Sequence, residues 1–497
     1  MIIEREPLKK YYYSLEGYDS ETEFRFILNN YLLSLLGIVC DVDSLELKII
    51  DDMNKKRSSN IYFDKDKIVF KSSRLSCEGF CVSISISETD FKESYLSKIR
   101  VVYDEIKKVT FNDFNKEGKI LNNYSSFAKV INEYDYAVQR GLCHWIADNC
   151  SEQLEHLLLS LEKWSNKTYE GKKVPFAFVV DLNSELGGFD YIEFLGEEYS
   201  ATFTDGITSI VELDKKLRFI RYNSLTENNI IPDTDITSSP YRFAQVIMKF
   251  TKGRNKVGVI LLTSGDIILI KDAKIELIKR DGNWINFNKD IFVSVVMSVN
   301  NKYPKKLLTR ELLNEIFYTS LDVSFSHSGG LIAVVEDKNK LTGTYEVYEI
   351  KNSKEDTNNI NSIVHYIDDL KLKLPTYQEL SYENEKFRNP NMKKRFSKRA
   401  AIIALAGYQY EESDQINFIR LDRKLRAEFV SMDGATIIGK NGDVISFGAI
   451  IQNDSGSYGG GRGAAAKKLS KYGLAVKIST DGYIEVYIDE IIKYRMK

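Results

Sequence analysis

The sequence predicts an α/β protein built from more than one domain, and three observations carry that expectation. At 497 residues the chain is too long for a single core. Helical and strand periodicities alternate along it from end to end. Its composition, 43% hydrophobic and 28% charged, is that of a globular chain and not of a disordered one. We divide it into an N-terminal α+β domain at 1–155, an α/β domain at 156–300 and a C-terminal α/β domain at 301–497.

Charge and cysteine usage narrow the class. Lys and Arg number 69 against 71 Asp and Glu, a net charge of −2, so no basic excess points to nucleic acid as the main partner. Five cysteines in the whole chain fit free thiols in a reducing compartment, and we expect a cytoplasmic protein. The N-terminus, Met-Ile-Ile-Glu-Arg-Glu-Pro-Leu-Lys-Lys, lacks an apolar segment of signal length. The most apolar window, Tyr31 to Cys40, is half of the ~20 residues that a membrane-spanning helix needs, so no membrane partner is expected. With only seven prolines, long extended linkers are not expected either.

In chain order, Glu21 to Cys40 has apolar residues at helical spacing: Phe24, Phe26, Ile27, Tyr31, Leu32 and Leu35. Strands are expected at Leu45–Ile50, Asn60–Phe70 and Phe80–Ile86, and helices at Phe91–Val109 and Phe127–Asn149. Cys77 with Cys81, and Cys143, His144, Cys150 and His156, have the composition of metal ligands. Cys77 and Cys81 lack a second pair. We place the other four on one helix, at spacings that turn them to different faces. Small buried hydrophobes is our reading of these cysteines.

From His156 to Trp164 a helix leads into a strand at Val174–Val180, and a second strand pair surrounds 206–213. Ser239 is a good N-cap for a helix from Pro240 to Thr251, with proline at the first helical position. A meander follows at Val257–Thr263, Asp266–Lys271 and Lys274–Arg280, with turns at Ser264-Gly265 and Asp272-Ala273. Leu307, Leu308, Leu312, Leu313 and Phe317 predict a helix over Lys305–Thr319. Ser326-His327-Ser328-Gly329-Gly330 then precedes a buried strand, Leu331 to Val335. His327 is a candidate phosphate or base contact, and a turn histidine with no role is the competing reading. The stretch 337–422 is polar. Its segment Asn384 to Arg399 is rich in Lys and Arg and is read first as a solvated loop or an exposed helix start, and otherwise as a contact for triphosphate or nucleic acid. Helical Ser397–Gly407 and apolar Ile416–Leu421 follow.

The chemistry gathers in Phe429 to Asp489. Asp433-Gly434-Ala435 precedes the β-branched run Thr436-Ile437-Ile438. Gly456 to Gly463 holds five glycines in eight residues with one arginine, Arg462, and leads into a helix. Ser479-Thr480-Asp481-Gly482 joins two strand-like runs. A helix start presents N–H groups and a positive dipole end to a phosphate. Glycines let the backbone approach that phosphate. An acid beside it holds a divalent cation that bridges phosphate oxygens. Taken singly, each element is an ordinary turn or hairpin; Asn441-Gly442 and Asp481-Gly482 are common hairpin signals.

The ordered combination resembles the diadenylate cyclase family. Asp433-Gly434-Ala435 matches that family's Asp-Gly-Ala motif in full. Gly460-Gly461-Arg462-Gly463-Ala464-Ala465-Ala466 matches its Gly-x-Arg-His-Arg-Ala-Ala loop in part, with Gly463 and Ala464 in place of the histidine and the second arginine. Ile478-Ser479-Thr480-Asp481-Gly482 resembles its strand-turn motif, with Thr480 in place of an acid. Gly329 to Val335 is similar to its opening buried strand. The likeness spans roughly 305–490 and is weak between 336 and 428.

The resemblance implies a mixed, twisted sheet flanked by helices, preceded by α+β domains of which 156–300 is sensor-like. The implied activity is condensation of two ATP into cyclic di-AMP with loss of two pyrophosphates, by a homodimer or a transient pair of protomers. Mg²⁺ or Mn²⁺ is the implied cofactor, held by Asp433, which also helps to activate the 3′-oxygen. Gly434 and Ala435 pass beside the nucleotide. Arg462 with the N–H groups of Gly460, Gly461 and Gly463 holds the phosphates. Ser479, Asp481 and His327 lie nearby. Lys467, Lys468 or the basic cluster at 393–399 stands in for the missing cations. The alternatives are a weakly active or inactive nucleotide sensor resembling the diadenylate cyclases and a cyclase with a different cyclic product. The ligand of the region before residue 300 is not implied.

Overall fold

The computed structural model describes residues 20–39, 48–50, 61–64, 67–71, 79–85, 93–109, 124–169, 172–196, 204–205, 207–224, 250–252, 255–287, 289–300, 308–335, 417–449, 451 and 460–496. Their contacts gather into two units, Met1–Ser294 and Val295–Lys497. Both have mixed α/β content with helices on their sheets.

The first unit opens with α1 (Ser20–Ile27), which continues through a π-helical turn, Leu28–Leu32, into α2 (Leu33–Leu36). Gly37 ends α2 with φ +65°, the left-handed cap that glycine adopts without a steric penalty. The strands β1 (Lys48–Ile50), β2 (Ile61–Asp64), β3 (Lys67–Lys71) and β4 (Gly79–Ser85) form an antiparallel sheet in the order β1-β4-β3-β2. The expected single strand over Asn60–Phe70 is thus a hairpin, with Ile61 paired to Phe70. Helix α3 (Glu93–Lys108) packs along α4 (Tyr124–Ala147) at Gly141. A Cβ there would stand 2.6 Å from the Val102 Cα, so only glycine permits that approach.

A 3-10 turn, Asp148–Cys150, separates α4 from α5 (Ser151–Trp164). Cys143 and His144 therefore sit on α4, Cys150 in the turn and His156 on α5, so the expectation of one shared helix is corrected. Cys143 and Cys150 are free and buried, and burial raises both thiols, Cys150 to about 11. They act as small apolar side chains, not as ligands. Cys77 and the Cys81 side chain lie outside the described residues.

After the short pair β5 (Thr168–Tyr169) and β6 (Lys172–Lys173) come β7 (Phe176–Asp181), α6 (Tyr191–Gly196), β8 (Ser209–Asp214) and β9 (Phe219–Ser224). Next are β10 (Lys256–Leu261), β11 (Ile267–Lys271), β12 (Lys274–Arg280), β13 (Asn283–Asn286) and α7 (Lys289–Asn300). The larger sheet has the order β13-β12-β11-β10-β7-β8-β9. Phe250 and Thr251 are helical, and the rest of the helix expected over Pro240–Thr251 lies outside the described residues.

The second unit places α8 (Arg310–Phe325) before β14 (Gly330–Val335). Its helix begins at Arg310 and not at Lys305 as expected, because the Thr309 side chain caps it by accepting from the Leu312 N–H. Helix α9 (Arg423–Val430) is capped by Asp422, whose carboxylate accepts from the N–H groups of Lys424 and Leu425. Then come β15 (Ala435–Gly439), β16 (Val444–Ala449), α10 (Gly460–Ser470), β17 (Gly473–Ile478), β18 (Ile484–Ile488) and β19 (Ile491–Met496). The expected basic cluster at 384–399 and the helix over 397–407 lie outside the described residues.

The sheet has the order β16-β15-β14-β17-β18-β19. Only β14 and β15 are parallel; every other neighbouring pair is antiparallel. Alternate residues take opposite faces. Leu331, Ala333, Val335, Ala435, Ile437, Ala475 and Tyr487 form one core with Ala465, Ala466 and Leu469 of α10. On the other face Val430 of α9 lies where a Cβ on Gly330 would meet it, and Thr436 donates to the Phe429 carbonyl at 3.2 Å. Arg423 binds Asp322 of α8 through Nε at 2.6 Å and Nη2 at 2.9 Å, which fixes α9 and hence the approach to β15. That pair is nearly enclosed, with side-chain exposures of 12% and 10%, so breaking one partner costs more than a surface pair would.

Candidate functional site

The topology brings four separate segments to one end of the second sheet. Because β14 and β15 are parallel, both start at the same end. Because β17 runs against β14, with Gly330 opposite Ile478, β17 finishes there. Ser326–Gly329, Asp433-Gly434 and Ser479–Gly482 therefore meet, and the start of α10 joins them through Arg462. Its Nη1 lies 2.9 Å from where a Cβ on Gly329 would stand, beside Thr480.

Local geometry explains why these residues occupy the turns. His327 has φ +51° and Gly329 φ +66°. Left-handed backbone disfavours a side chain, and at Gly329 a side chain would also displace the guanidinium. The Ser326, Ser328 and Ser431 hydroxyls form a chain with contacts of 2.7 and 2.9 Å, which ties this turn to the residue that follows α9. Ser324 donates its hydroxyl to the Gly482 carbonyl, fastening the third segment to α8. His327 Nδ1 lies 3.3 Å from the Thr480 carbonyl. A carbonyl only accepts, so Nδ1 carries the proton, and a neutral ring then offers Nε2 as an acceptor.

Asp433 and Arg462 form the charged pair of the site, Oδ1 to Nη2 at 3.6 Å, with side-chain exposures of 75% and 31%. An exposed pair of this kind contributes about 0–1 kcal/mol, so a phosphate or a cation can replace either partner at little cost. The first turn of α10 is Gly460-Gly461-Arg462-Gly463, so these glycines belong to the helix and are not a loop ahead of it. Gly460 has φ +76°, and a Cβ on Gly461 would meet nothing within 4 Å. The dipole of α10 adds positive potential beside Arg462.

Other expected residues have different surroundings. Gly434, φ +101°, has no space for a Cβ because the Gly448 carbonyl carbon would stand 2.4 Å from it, so its glycine serves the contact with β16. Ala435 is buried in the core under α10. Ser479 accepts the Tyr483 N–H at 3.0 Å on its hydroxyl and so closes its own turn. Asp481 is exposed at the tip of that turn. Lys467 and Lys468 fall in the last turn of α10, at the far end from Arg462.

A nearer cation is Lys477, whose Nζ is 3.9 Å from where a Cβ on the buried Gly463 would stand. It donates to Glu485 at 3.0 Å, and Glu485 also accepts from Arg495 at 2.8 Å and from the Tyr487 hydroxyl at 2.9 Å. Burial opposes ionisation of Glu485, but the charges of Arg495 and Lys477 and the bonds to it prevail and hold its carboxyl below the ordinary value. Burial and the neighbouring carboxylate push the Tyr487 phenol up. Sequence reasoning missed this ladder across β17, β18 and β19. Its signal was opposite charges on strands that the short turn Thr480-Asp481-Gly482 places face to face.

Among the described residues no group of three or more His, Cys, Asp and Glu is arranged to hold a metal ion. One exposed carboxylate, Asp433, does fit the way Mg²⁺ binds in nucleotide sites, where one or two carboxylates share the ion with phosphate oxygens. Among the described residues no helix is long and apolar enough to cross a membrane. Comparison with protein-family models, curated proteins and solved structures gives no match for this chain.

Proposed function

We propose that the second unit binds ATP at this end of its sheet and condenses two ATP into cyclic di-AMP, with release of two pyrophosphates. The observation that supports this reading is the meeting of Asp433, Arg462, the His327–Gly329 turn and the Thr480–Gly482 turn, which lie far apart in sequence. Each 3′-oxygen forms a bond to the α-phosphorus of the other ATP, the bond from that phosphorus to the β-phosphate bridging oxygen breaks, and the hydroxyl proton is lost. Arg462 and the positive end of α10 offset the charge that grows on the departing pyrophosphate. Asp433 is the residue that would hold Mg²⁺ or Mn²⁺, which supplies charge neutralisation at the α-phosphate. A neutral His327 ring with its proton on Nδ1 would offer Nε2 as an acceptor. Because two nucleotides must meet in line, two binding sites take part in each turnover.

A second reading is a nucleotide sensor without turnover. It is favoured by Gly463 and Ala464 standing where the related loop has cations, and by the engagement of Lys477 with Glu485. Incubating the purified chain with ATP and Mg²⁺ or Mn²⁺ and weighing the products separates the two. A mass of cyclic di-AMP supports the cyclase; unchanged ATP with measurable ATP binding supports the sensor.

A further inference from the structure

The larger sheets of the two units share one plan. One runs β9-β8-β7-β10-β11-β12 and then β13, the other β16-β15-β14-β17-β18-β19. In each, a single neighbouring pair is parallel, β7 with β8 and β14 with β15. In each, the next strand in sequence pairs antiparallel on the far side of the first strand, β10 on β7 and β17 on β14.

The likeness continues at single residues. Advancing 256–280 by 217 positions lays them on 473–497 with no gap. The turn bonds then coincide. Leu262 donates to Asp266 and Gly265 to Leu262, each at 2.9 Å, as Ser479 donates to Tyr483 and Gly482 to Ser479, each at 2.9 Å. Gly265 has φ +95° and Gly482 +83°; Asp272 and Ala273 have +47° and +59°, Asp489 and Glu490 +50° and +65°. The irregularity between Leu269 and Ile270 recurs between Val486 and Tyr487. A hydroxyl of the preceding helix accepts the N–H of the second turn in both, Thr251 from Ala273 at 3.1 Å and Ser470 from Glu490 at 2.9 Å. Identical residues are few: Val259 and Val476, Thr263 and Thr480, Gly265 and Gly482, Ile267 and Ile484, Asp272 and Asp489, Ile275 and Ile492.

We infer that the chain contains one α/β module twice and that only the second copy takes a nucleoside triphosphate, so that each chain binds one; this rests on the function proposed above. Strand pairing carries the correspondence into the site. Leu261 faces Phe176 as Ile478 faces Gly330, so Pro175 stands at the place of Gly329. Proline holds φ near −65° and cannot adopt the +66° of Gly329. Phe178 faces Val211 as Ile332 faces Thr436, so Thr208 stands at the place of Asp433. A hydroxyl replaces the carboxylate, and it is spent on Asp205 at 2.9 Å. Asp205 itself accepts the N–H groups of Ile207, Thr208 and Ser209 at 2.8, 2.7 and 3.1 Å. Despite the cost of its burial, those bonds keep it ionised as the closure of its own turn. The first copy thus keeps the fold and lacks both the acid and the seat for the arginine. Two ATP then meet only when two chains bring their second copies together.

Calorimetric titration of the full chain with an ATP analogue carrying a methylene bridge between the α- and β-phosphates, with Mg²⁺ present, tests this. One analogue per chain is expected, weakened severalfold, but less than kcat is lowered, by Arg462→Ala, whose side chain is 31% exposed and removable without loss of the fold, and unchanged by Thr208→Ala. Two per chain, one of them indifferent to Arg462→Ala, overturns the single competent copy and leaves the proposed function standing. One per chain indifferent to Arg462→Ala and weakened by Thr208→Ala puts the site in the first copy and overturns both. No binding at any concentration removes the proposed function and the inference with it.

Discussion

The Arg462 guanidinium lies 3.6 Å from the Asp433 carboxylate and within touching distance of the bare backbone of Gly329. One cation thus joins the start of β14, the start of β15 and the first turn of α10. In the proposed reaction, charge on the leaving pyrophosphate is larger in the transition state than in bound ATP, so Arg462 is expected to matter more for turnover than for binding. Arg462→Ala is expected to lower kcat at least ~10-fold, or ~1.4 kcal/mol, with a smaller change in ATP affinity. Equal loss in kcat/KM and in affinity would mean that the arginine only binds. Asp433→Asn, nearly isosteric, is expected to remove product at unchanged Tm. Full turnover in that variant would dismiss the cyclase assignment.

The two glycines at this end separate a positional from a steric requirement. At Gly329 the nearest obstacle to a Cβ is the far end of a long side chain, with Thr480 behind it at 3.2 and 3.3 Å, and at Gly434 it is backbone at 2.4 Å. Gly329→Ala is therefore expected to cost about 1–2 kcal/mol, the left-handed backbone penalty, and to weaken ATP binding as Arg462 moves aside. Gly434→Ala has to part β15 from β16 and is expected to cost more than that. Thermal unfolding that ranks the two the other way would contradict the geometry.

Much of this site was legible because turns and strand starts have local chemistry. Asp433-Gly434, Asp481-Gly482 and Asn441-Gly442 announce turns whatever the rest of the fold does, and the structure has Gly434, Gly442 and Gly482 at positive φ. Leu331 to Val335 reads as a buried strand because both of its faces are covered, as all of them are. Lys477 with Glu485 and Arg495 was not legible, since its meaning lies in cross-strand register. The repeated module escaped for the same reason. Six identities over the meander are too few to see by composition, yet Thr-x-Gly-x-Ile at Thr263 and again at Thr480, each with an Asp five positions after the Ile, was a usable signal. The start of α8 was misplaced because the leucines before Thr309 continue a helical spacing, while the backbone answers to the cap.

Glu485 makes an acid-stability prediction. Its folded carboxyl is held below the ordinary glutamate value of 4.5. A carboxylate of lowered pKa contributes stability that is complete above its unfolded pKa and is lost as pH falls through the folded one. Glu485→Gln is expected to cost about 1–3 kcal/mol at pH 7, as Lys477 and Arg495 lose a shared anion. It is also expected to flatten the fall in Tm below the unfolded value. Parallel pH profiles for the variant and the parent would show that the ladder contributes nothing.

If two chains must bring their second copies together, activity carries the signature of association. Specific activity is expected to rise with protein concentration until the dimer is saturated. Mixing Asp433→Asn with Arg462→Ala chains tests whether each site acts on its own ATP or on its neighbour's. A strictly monomeric species with constant specific activity would contradict the two-chain requirement.

The altered first turn of α10 provides the last test. Gly463→His with Ala464→Arg introduces the two cations of the diadenylate cyclase loop that this turn resembles. Gly463 tolerates a Cβ, since the nearest atom to it would be Lys477 Nζ at 3.9 Å. Replacing a helical glycine also favours the helix by up to about 1 kcal/mol. Against this, a protonated imidazole beside Lys477 is repelled, at a cost that falls as salt is added. Without ligand the variant is therefore expected to gain stability at high salt relative to low. With a triphosphate the sign reverses: the added cations meet an anion, affinity rises, and salt erodes the gain. An affinity for ATP equal to the parent's, in a variant whose Tm shows it folded, would mean that this turn does not face the phosphates. The site would then have to be sought among the other segments at this end of the sheet.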